Sequence, residues 1–348
     1  MSRPDLFTTP PPDVAIEIDR THVAAARVAT RGNQAVIVAH ASEALPPGAV
    51  VPGMLALNMP DVPAVAGAIR QTLTQLGGSS PTRVALVLPD TIAKVSLLRL
   101  EKVPSKAADL QEIIKWQVRK TAPFPTEEAV LSVSLGGLGA DGASEFVVAL
   151  ARRDVVHQYE QACVMAGVHA GLVDLSTFSV INSVLASTVA PAGDPSTGSG
   201  SPRPFDTLKV APSGVEGRAS SRGDWLLVHV TDTYLTLAVI RDQALLFFRN
   251  RTEEAEGTLA DLIHQTAMYY EDRLHGAGFA RVIIAGAARL PGGAESVRRD
   301  LEQRLRMSVE AVDPRAAAVL QDRIGASPEL LDLLAPLVGM LLRERKAA

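Results

Sequence analysis

The chain has 348 residues, 47% hydrophobic and 21% charged, close to the average of folded proteins, and its length predicts about two domains with cores of their own. A formal charge of −4 without a long basic run gives no electrostatic footprint for nucleic acid. The single cysteine, Cys163, excludes an internal disulfide and fits a reducing compartment.

In chain order, residues 1–12 are proline-rich, lack the apolar core of a signal peptide and are expected to be a flexible N-terminus. Val14 to Ile18 and Val23 to Val28 then read as strands joined by the turn Asp19-Arg20-Thr21-His22, and a third strand comes after Arg31-Gly32-Asn33 and reaches Ala44. A helix from Val62 to Leu76 and a strand from Arg83 to Leu88 complete a β-β-β-α-β order. The order recurs later. Leu226 to Val230, Tyr234 to Ile240 and Ala244 to Phe248 form a second meander, succeeded by a helix from Gly257 to His275 and a strand from Arg281 to Ala285. Two related halves are therefore predicted.

Inside the first half, a strand (Ala93 to Leu100), a helix (Lys106 to Lys120), a hairpin (Ala129 to Leu135 with Glu145 to Ala151) and a helix (Arg153 to Ala166) read as an inserted α/β subdomain over about 91–167. A strand from Gly171 to Leu175 closes this half. Residues 188–223 are rich in Pro, Gly and Ser, bury too little apolar surface to offset their ordering entropy, and read as a linker with Phe205 to Val210 as its candidate for local order. The expected division is 13–187 for the first domain and 224–348 for the second. No stretch reaches the roughly 20 apolar residues of a membrane span. The late candidate Leu333 to Leu342 contains Pro336 and Gly339 and runs into Arg343-Glu344-Arg345-Lys346.

Familiar catalytic patterns are missing from the sequence, including the Walker loop, HExxH, paired CxxC and GxSxG. Gly137, Gly139 and Gly142 match GxGxxG, but they sit between two hairpin strands, where no helix N-terminus can receive a pyrophosphate. His229 reads as a core or cleft histidine, and His264 and Met268 beside Tyr269 and Tyr270 as packing. Cys163 reads as a small buried hydrophobe, and Glu127-Glu128 as an exposed turn.

The segments within and after the insert, taken in order, carry a family resemblance. Ile113-Ile114-Lys115-Trp116-Gln117 leads through Ala122-Pro123-Phe124-Pro125-Thr126-Glu127-Glu128 to a strand, and then come Ala151-Arg152-Arg153-Asp154, Ala166-Gly167-Val168 and Val173-Asp174-Leu175-Ser176-Thr177-Phe178. Together with Ile283-Ile284-Ala285-Gly286-Ala287-Ala288-Arg289-Leu290-Pro291-Gly292 and Ala335-Pro336-Leu337-Val338-Gly339-Met340, this resembles the PilM family of actin-like type IV pilus assembly proteins, over about Asp13 to Arg343. It is more distantly similar to the cytoplasmic part of the type II secretion protein GspL and to the cell-division protein FtsA.

The resemblance implies an α/β actin-like fold, of the actin, Hsp70 and sugar-kinase type, duplicated as β-β-β-α-β-α, in which the two meander turns hold the phosphates of ATP with magnesium. Such turns need backbone N–H groups close to anionic oxygens. At the first turn the family shows an acidic residue, a glycine two positions on, a Ser-rich turn and a lysine; here Glu17, Asp19, Arg20-Thr21-His22 and Ala24 stand in those places. At the second turn His229 and Thr231 replace an Asp and a Gly, leaving Thr231, Asp232, Thr233 and Thr236 as polar groups, and the adenosine turn keeps Gly286 but has Ala287 and Ala288 next. A carboxylate about 4 Å from a phosphate oxygen costs about 4 kcal/mol at an effective dielectric near 20, nearly three decades in affinity. Arg20 or His22 could compensate, or Asp19 could hold a bridging metal. The expectation is a degenerate site without hydrolysis, hence no enzyme and no cofactor; if nucleotide binding survives, Thr21, His22, Thr231, Asp232, Thr233 and Gly286 are its contacts and the protein is a nucleotide switch.

For partners, the resemblance implies a cytoplasmic scaffold beside the inner membrane that receives the N-terminal tail of a PilN-like bitopic protein in a groove between the first domain and its insert, without inserting into the membrane itself. Contact with the pilus assembly ATPase and homo-oligomerisation are compatible with that role. Trp116, Arg119, Phe124 and Pro125 mark the expected groove surface; alternatively Trp116 and Phe124 seal the insert against the domain. A GspL-like component is disfavoured because that family carries a following membrane segment and periplasmic domain.

Overall fold

A computed structural model describes residues 11–32, 34–138, 142–188, 223–241, 243–252, 258–290, 292–321 and 324–345. The first half runs β1 (Val14–Ile18), β2 (His22–Arg31), β3 (Gln34–Ala44), α1 (Val62–Leu76), β4 (Arg83–Leu88), β5 (Ala93–Leu100), α2 (Ala107–Arg119), β6 (Ala129–Leu138), β7 (Ser144–Arg152), α3 (Arg153–Met165), β8 (His169–Leu175) and α4 (Ser176–Thr188). The second runs β9 (Trp225–Val230), β10 (Tyr234–Arg241), β11 (Ala244–Thr252), α5 (Leu259–Leu274), β12 (Arg281–Ala285), α6 (Gly293–Leu305), β13 (Val309–Ala311), β14 (Val319–Leu320) and α7 (Pro328–Arg345). The linker segment with Phe205 to Val210 lies outside the described residues, as do residues 1–10.

The duplication is present in the strand order. The first sheet is β14-β3-β2-β1-β4-β8 and the second β11-β10-β9-β12-β13, so each has an antiparallel meander extended by parallel strands from its first member. Parallel neighbours need a crossover connection, which α1 supplies between β3 and β4, and α5 between β11 and β12. The turns β1–β2 and β9–β10 thereby come to equivalent corners of the two sheets.

Alternation along the strands sends different side chains to the two faces. Val14, Ile16 and Ile18 of β1 meet Val65 and Ile69 of α1, whereas Ala15, Ala24, Ala26 and Ala85 form a smooth face on which Leu334, Leu337, Val338 and Leu341 of α7 lie. The second sheet covers one face with Leu262, Ile263 and Tyr270 of α5 and Leu301 of α6. Its other face, with Leu227, Ile240 and Ile283, shares a core with α4.

Two segments depart from the domain division expected from the sequence. β14 pairs in parallel with β3, Val319 opposite Val36 and Leu320 opposite Ile37, and α7 packs on the first sheet, so the end of the range 224–348 returns to the first half. α3, expected within the insert, buries Val155, Tyr159, Ala162 and Cys163 in the first core beside α1. The insert keeps the sheet β5-β7-β6 with α2, whose Ile114 and Val118 meet Phe146, Val148 and Leu150. Its hairpin carries the GxGxxG glycines: Gly137 ends in β6 and Gly142, at φ +79°, precedes β7, with Gly139 outside the described residues.

The helices α4 and α7 cross closely. A Cβ built on Gly339 would lie 1.7 Å from the carbonyl oxygen of Ser179 and 2.7 Å from the amide of Ser183. Beside the crossing, Arg343 donates to Asp174 of β8, both side chains 3% exposed. Gly339→Ala is expected to lose about 1–3 kcal/mol of stability in urea denaturation, because the helices must separate. Arg343→Met should lose about 3–5 kcal/mol, since it strands the Asp174 carboxylate in the core.

Candidate functional site

The corner turns of the two sheets face each other across a cleft of about 750 Å³, counting its open mouth. Glu17, Asp19, Thr21 and His22 come from the first half, His229, Thr231, Asp232, Gly286 and Arg289 from the second, and Asp332 and Pro336 from α7. The structure thus brings together Thr21, His22, Thr231, Asp232 and Gly286. Thr233 is turned onto its own loop, its Oγ1 3.3 Å from that of Thr231.

Several backbone donors of the three turns are already taken. In the first, the amide of Asp19 donates to the carbonyl of His22 at 3.0 Å, and the amide of Arg20 donates to the Asp19 carboxylate at 2.7 Å. In the second, Thr231 Oγ1 accepts from the amides of Thr233 and Tyr234 at 3.2 and 3.1 Å, while the Thr231 amide donates to the Tyr234 carbonyl at 2.9 Å. In the third, the Asp332 carboxylate accepts from Ala288 at 2.8 Å and also from Gly286. Gly286 has a packing reason to be glycine. It sits at φ +82°, and a Cβ there would lie 1.9 Å from the carbonyl oxygen of Val230.

The cleft is acidic. Burial, the Asp19 charge and the Asp90 charge push the Glu17 carboxyl up to about 8, although Ser176 donates to it at 2.8 Å and Arg289 pulls the other way. Burial and the neighbouring Asp232 lift Asp19 to about 6, against the Arg20 amide bond. Burial raises Asp332 as well. Among the described lining residues Arg289 carries the one positive side chain, and its Nη1 lies 2.9 Å from Nε2 and 3.1 Å from Nδ1 of His22. Near-equal approach to both ring nitrogens places the guanidinium over the ring rather than at one lone pair. Burial and that guanidinium push His22 down to about 3, so the ring is neutral at physiological pH.

Below the cleft lies a buried polar cluster that sequence reasoning missed. Asp90, in a 3-10 turn after β4, accepts from the amide of Thr177 at 3.0 Å, from the Thr177 hydroxyl, and from the Thr236 hydroxyl at 2.6 Å. His229 Nδ1 stands 2.7 Å from Thr177 Oγ1. A lone Asp after a Pro carries no sequence signal for such a role. Asp332 and Arg289 reach the cleft from α7 and from the turn after β12, again without a local pattern.

On the insert, Trp116 of α2 is 61% exposed, with Lys120 Nζ 4.4 Å above its ring. It therefore does not seal the insert against the first domain. Arg119 and Pro125 are also exposed, and the Arg119 charge helps lower Glu127. Phe124 is half-buried in the insert's own core under α2. The loop between β3 and α1 was not singled out in sequence. It exposes Val51, Leu55 and Leu57 yet is held from beneath by Asn58, which donates to the carbonyls of Gly53 and Ala56 at 2.8 Å and accepts from Tyr159 at 3.0 Å. Gln158 of α3 accepts from the Asn58 amide at 2.7 Å, and Arg152 at the end of β7 donates to the Leu55 carbonyl, so this loop borders the insert.

These halves, corner turns and crossing helices define an actin-like α/β fold. The chain belongs to the family of type IV pilus assembly protein PilM, whose sequence model matches residues 15–194. A solved structure described as a PilM–PilN type IV pilus biogenesis complex is similar with a TM-score of 0.74 at 17% identity, over 96% of this chain and 99% of that one. More distant are a Bacteroides thetaiotaomicron protein with an actin-like ATPase fold (TM-score 0.45, 8% identity, 86% and 89% covered) and the cytoplasmic domain of EpsL, an inner-membrane component of the Vibrio cholerae type II secretion system (TM-score 0.45, 10% identity, 96% and 94% covered). Among the described residues no helix is long and apolar enough to cross a membrane, and no group of three or more His, Cys, Asp or Glu side chains is placed to hold a metal ion.

The raised Glu17 value links stability to pH. The folded state holds a proton that the unfolded chain releases near 4.5, so this contribution is complete below pH 4.5 and is lost as pH rises through about 8. Chemical denaturation should find Glu17→Gln more stable than the parent protein above pH 8, by about 1 kcal/mol or more, and equal to it near pH 4.

Proposed function

We propose that this protein is a cytoplasmic scaffold of the type IV pilus assembly machine, holding the N-terminal tail of a PilN-like inner-membrane protein and working without nucleotide hydrolysis. The observation that carries the nucleotide part is the use of the turn amides. An anion-binding turn must offer free N–H groups, and here the acceptors Asp19, Thr231 and Asp332 already hold those of Arg20, Thr233, Tyr234 and Ala288. A triphosphate would have to displace carboxylate and hydroxyl oxygens from those donors and meet Glu17, Asp19 and Asp232 with Arg289 as the opposing cation. The residues present do not fit bound ATP.

Two observations support tail docking. The solved relative is described as a PilM–PilN complex. In this chain the loop bordering the insert exposes Leu55 and Leu57 on a fixed frame, and the insert itself exposes Trp116 on α2. An extended tail takes affinity from main-chain hydrogen bonds and register from such side chains. Arg119, on the same helix as Trp116, adds an exposed positive group.

Calorimetry of the nucleotide-stripped protein with magnesium-ATP is expected to give no binding heat up to millimolar concentration; low-micromolar binding would put the nucleotide switch first. Trp116→Ala and Arg119→Ala should each weaken a synthetic PilN-like tail about tenfold with an unchanged melting temperature. Phe124→Ala is expected instead to destabilise the insert, by about 2–3 kcal/mol.

A further inference from the structure

We propose that Asp90 joins the two halves of the molecule from within, as a built-in hydrogen-bond acceptor doing the bridging that an actin-like cleft otherwise leaves to a nucleotide. The inference rests on the nucleotide-independent reading above and adds what holds the cleft closed in its place.

The directions of the hydrogen bonds establish the bridge. Asp90 is fully buried and stands at the N-terminus of α4, where the amide of Thr177 donates to one carboxylate oxygen at 3.0 Å. The other oxygen receives two hydroxyl protons, one from Thr177 of the first half and one from Thr236 of the second, the latter at 2.6 Å. A hydroxyl that donates its one proton has only lone pairs left. Thr177 Oγ1 must therefore accept from His229, 2.7 Å away, which fixes the proton on His229 Nδ1. Thr236 Oγ1 accepts from the Asn250 amide at 2.8 Å. Three side chains of the second half, on three adjacent strands, thus direct protons toward one carboxylate of the first half.

Thr177 and Thr236 are fully buried and His229 is 5% exposed, so this chain operates where hydrogen bonds reinforce one another and an unpaired acceptor is costly. Rotating the halves apart would break the Thr236 and His229 links together. The same interface holds the ring contact of Phe178 with Phe248, centroids 5.2 Å apart, and the Arg289 guanidinium over His22 at the cleft mouth. Of the three contacts, the one at Asp90 alone collects donors from both halves.

The test is a distance measurement between halves. Nitroxide labels at Gln71→Cys on α1 and Arg299→Cys on α6, both exposed sites, report the separation by double electron–electron resonance; Cys163 is fully buried and is not expected to take the label. The expected result is one narrow distance peak in the labelled parent, unmoved by millimolar magnesium-ATP, retained in Thr236→Ser and split or broadened toward longer distances in Thr236→Val. Should Thr236→Val fail to fold, Asn250→Ala is expected to broaden the peak to a smaller extent. A narrow parent-like peak in a folded Thr236→Val, even with lowered melting temperature, would overturn the bridge and leave a merely structural cluster, as would a parent-like peak in Asn250→Ala if Thr236→Val cannot be read. A parent peak that shifts on ATP addition would instead overturn the nucleotide-independent reading, whatever the variants do.

Discussion

The contact between α4 and α7 sets the spacing of everything else. Helix axes that approach until a Cβ would overlap a facing carbonyl require glycine, and Gly339 supplies it against Ser179. With α7 drawn in, its leucines lie flat on the alanine face of the first sheet, and Arg343 reaches Asp174 at the end of β8. The same placement carries Asp332, one turn before Pro336, to the turn after β12. One steric condition therefore links the core of the first half to the chemistry of the cleft in the second.

The cleft owes its character to that geometry and to three polar residues, Asp19 and Thr231 acting within their own turns and Asp332 acting from α7. Asp19, Thr231 and Asp332 each hold turn amides with a side-chain oxygen. Burial then keeps protons on the acids: Glu17 near 8 and Asp19 near 6 mean that close carboxyls coexist because part of their charge is withheld. His22 stays neutral because burial disfavours its charged form and, second, because the Arg289 guanidinium would repel a second positive charge.

Local periodicity made much of the fold legible. β1, β4, β5 and β12 were read with the ends they have, because alternating apolar runs between turn residues define strands directly. The repeat of the meander likewise survives as identical strand order in two sheets. The illegible parts depend on contacts distant in sequence. Nothing near Val319 indicates that it pairs with Val36, and α3 continues the insert in sequence while its Tyr159 is pulled into the first core by Asn58, a hundred residues earlier. At the site, Thr21, His22, Thr231, Asp232 and Gly286 were placed by aligning turns, a local operation. Asp90 and Asp332 act at long range, and Trp116 was ambiguous until its exposure was known.

The proposed nucleotide-independent cleft depends on backbone donors that are already used, and amide hydrogen exchange reads them one by one. Exchange at Arg20, Thr233, Tyr234 and Ala288, monitored with and without millimolar magnesium-ATP, is predicted to be slow in the free protein and unchanged by the nucleotide. Fast exchange in the free protein that becomes slow on adding ATP would mean that the turns are open phosphate receptors, and would contradict a self-satisfied cleft.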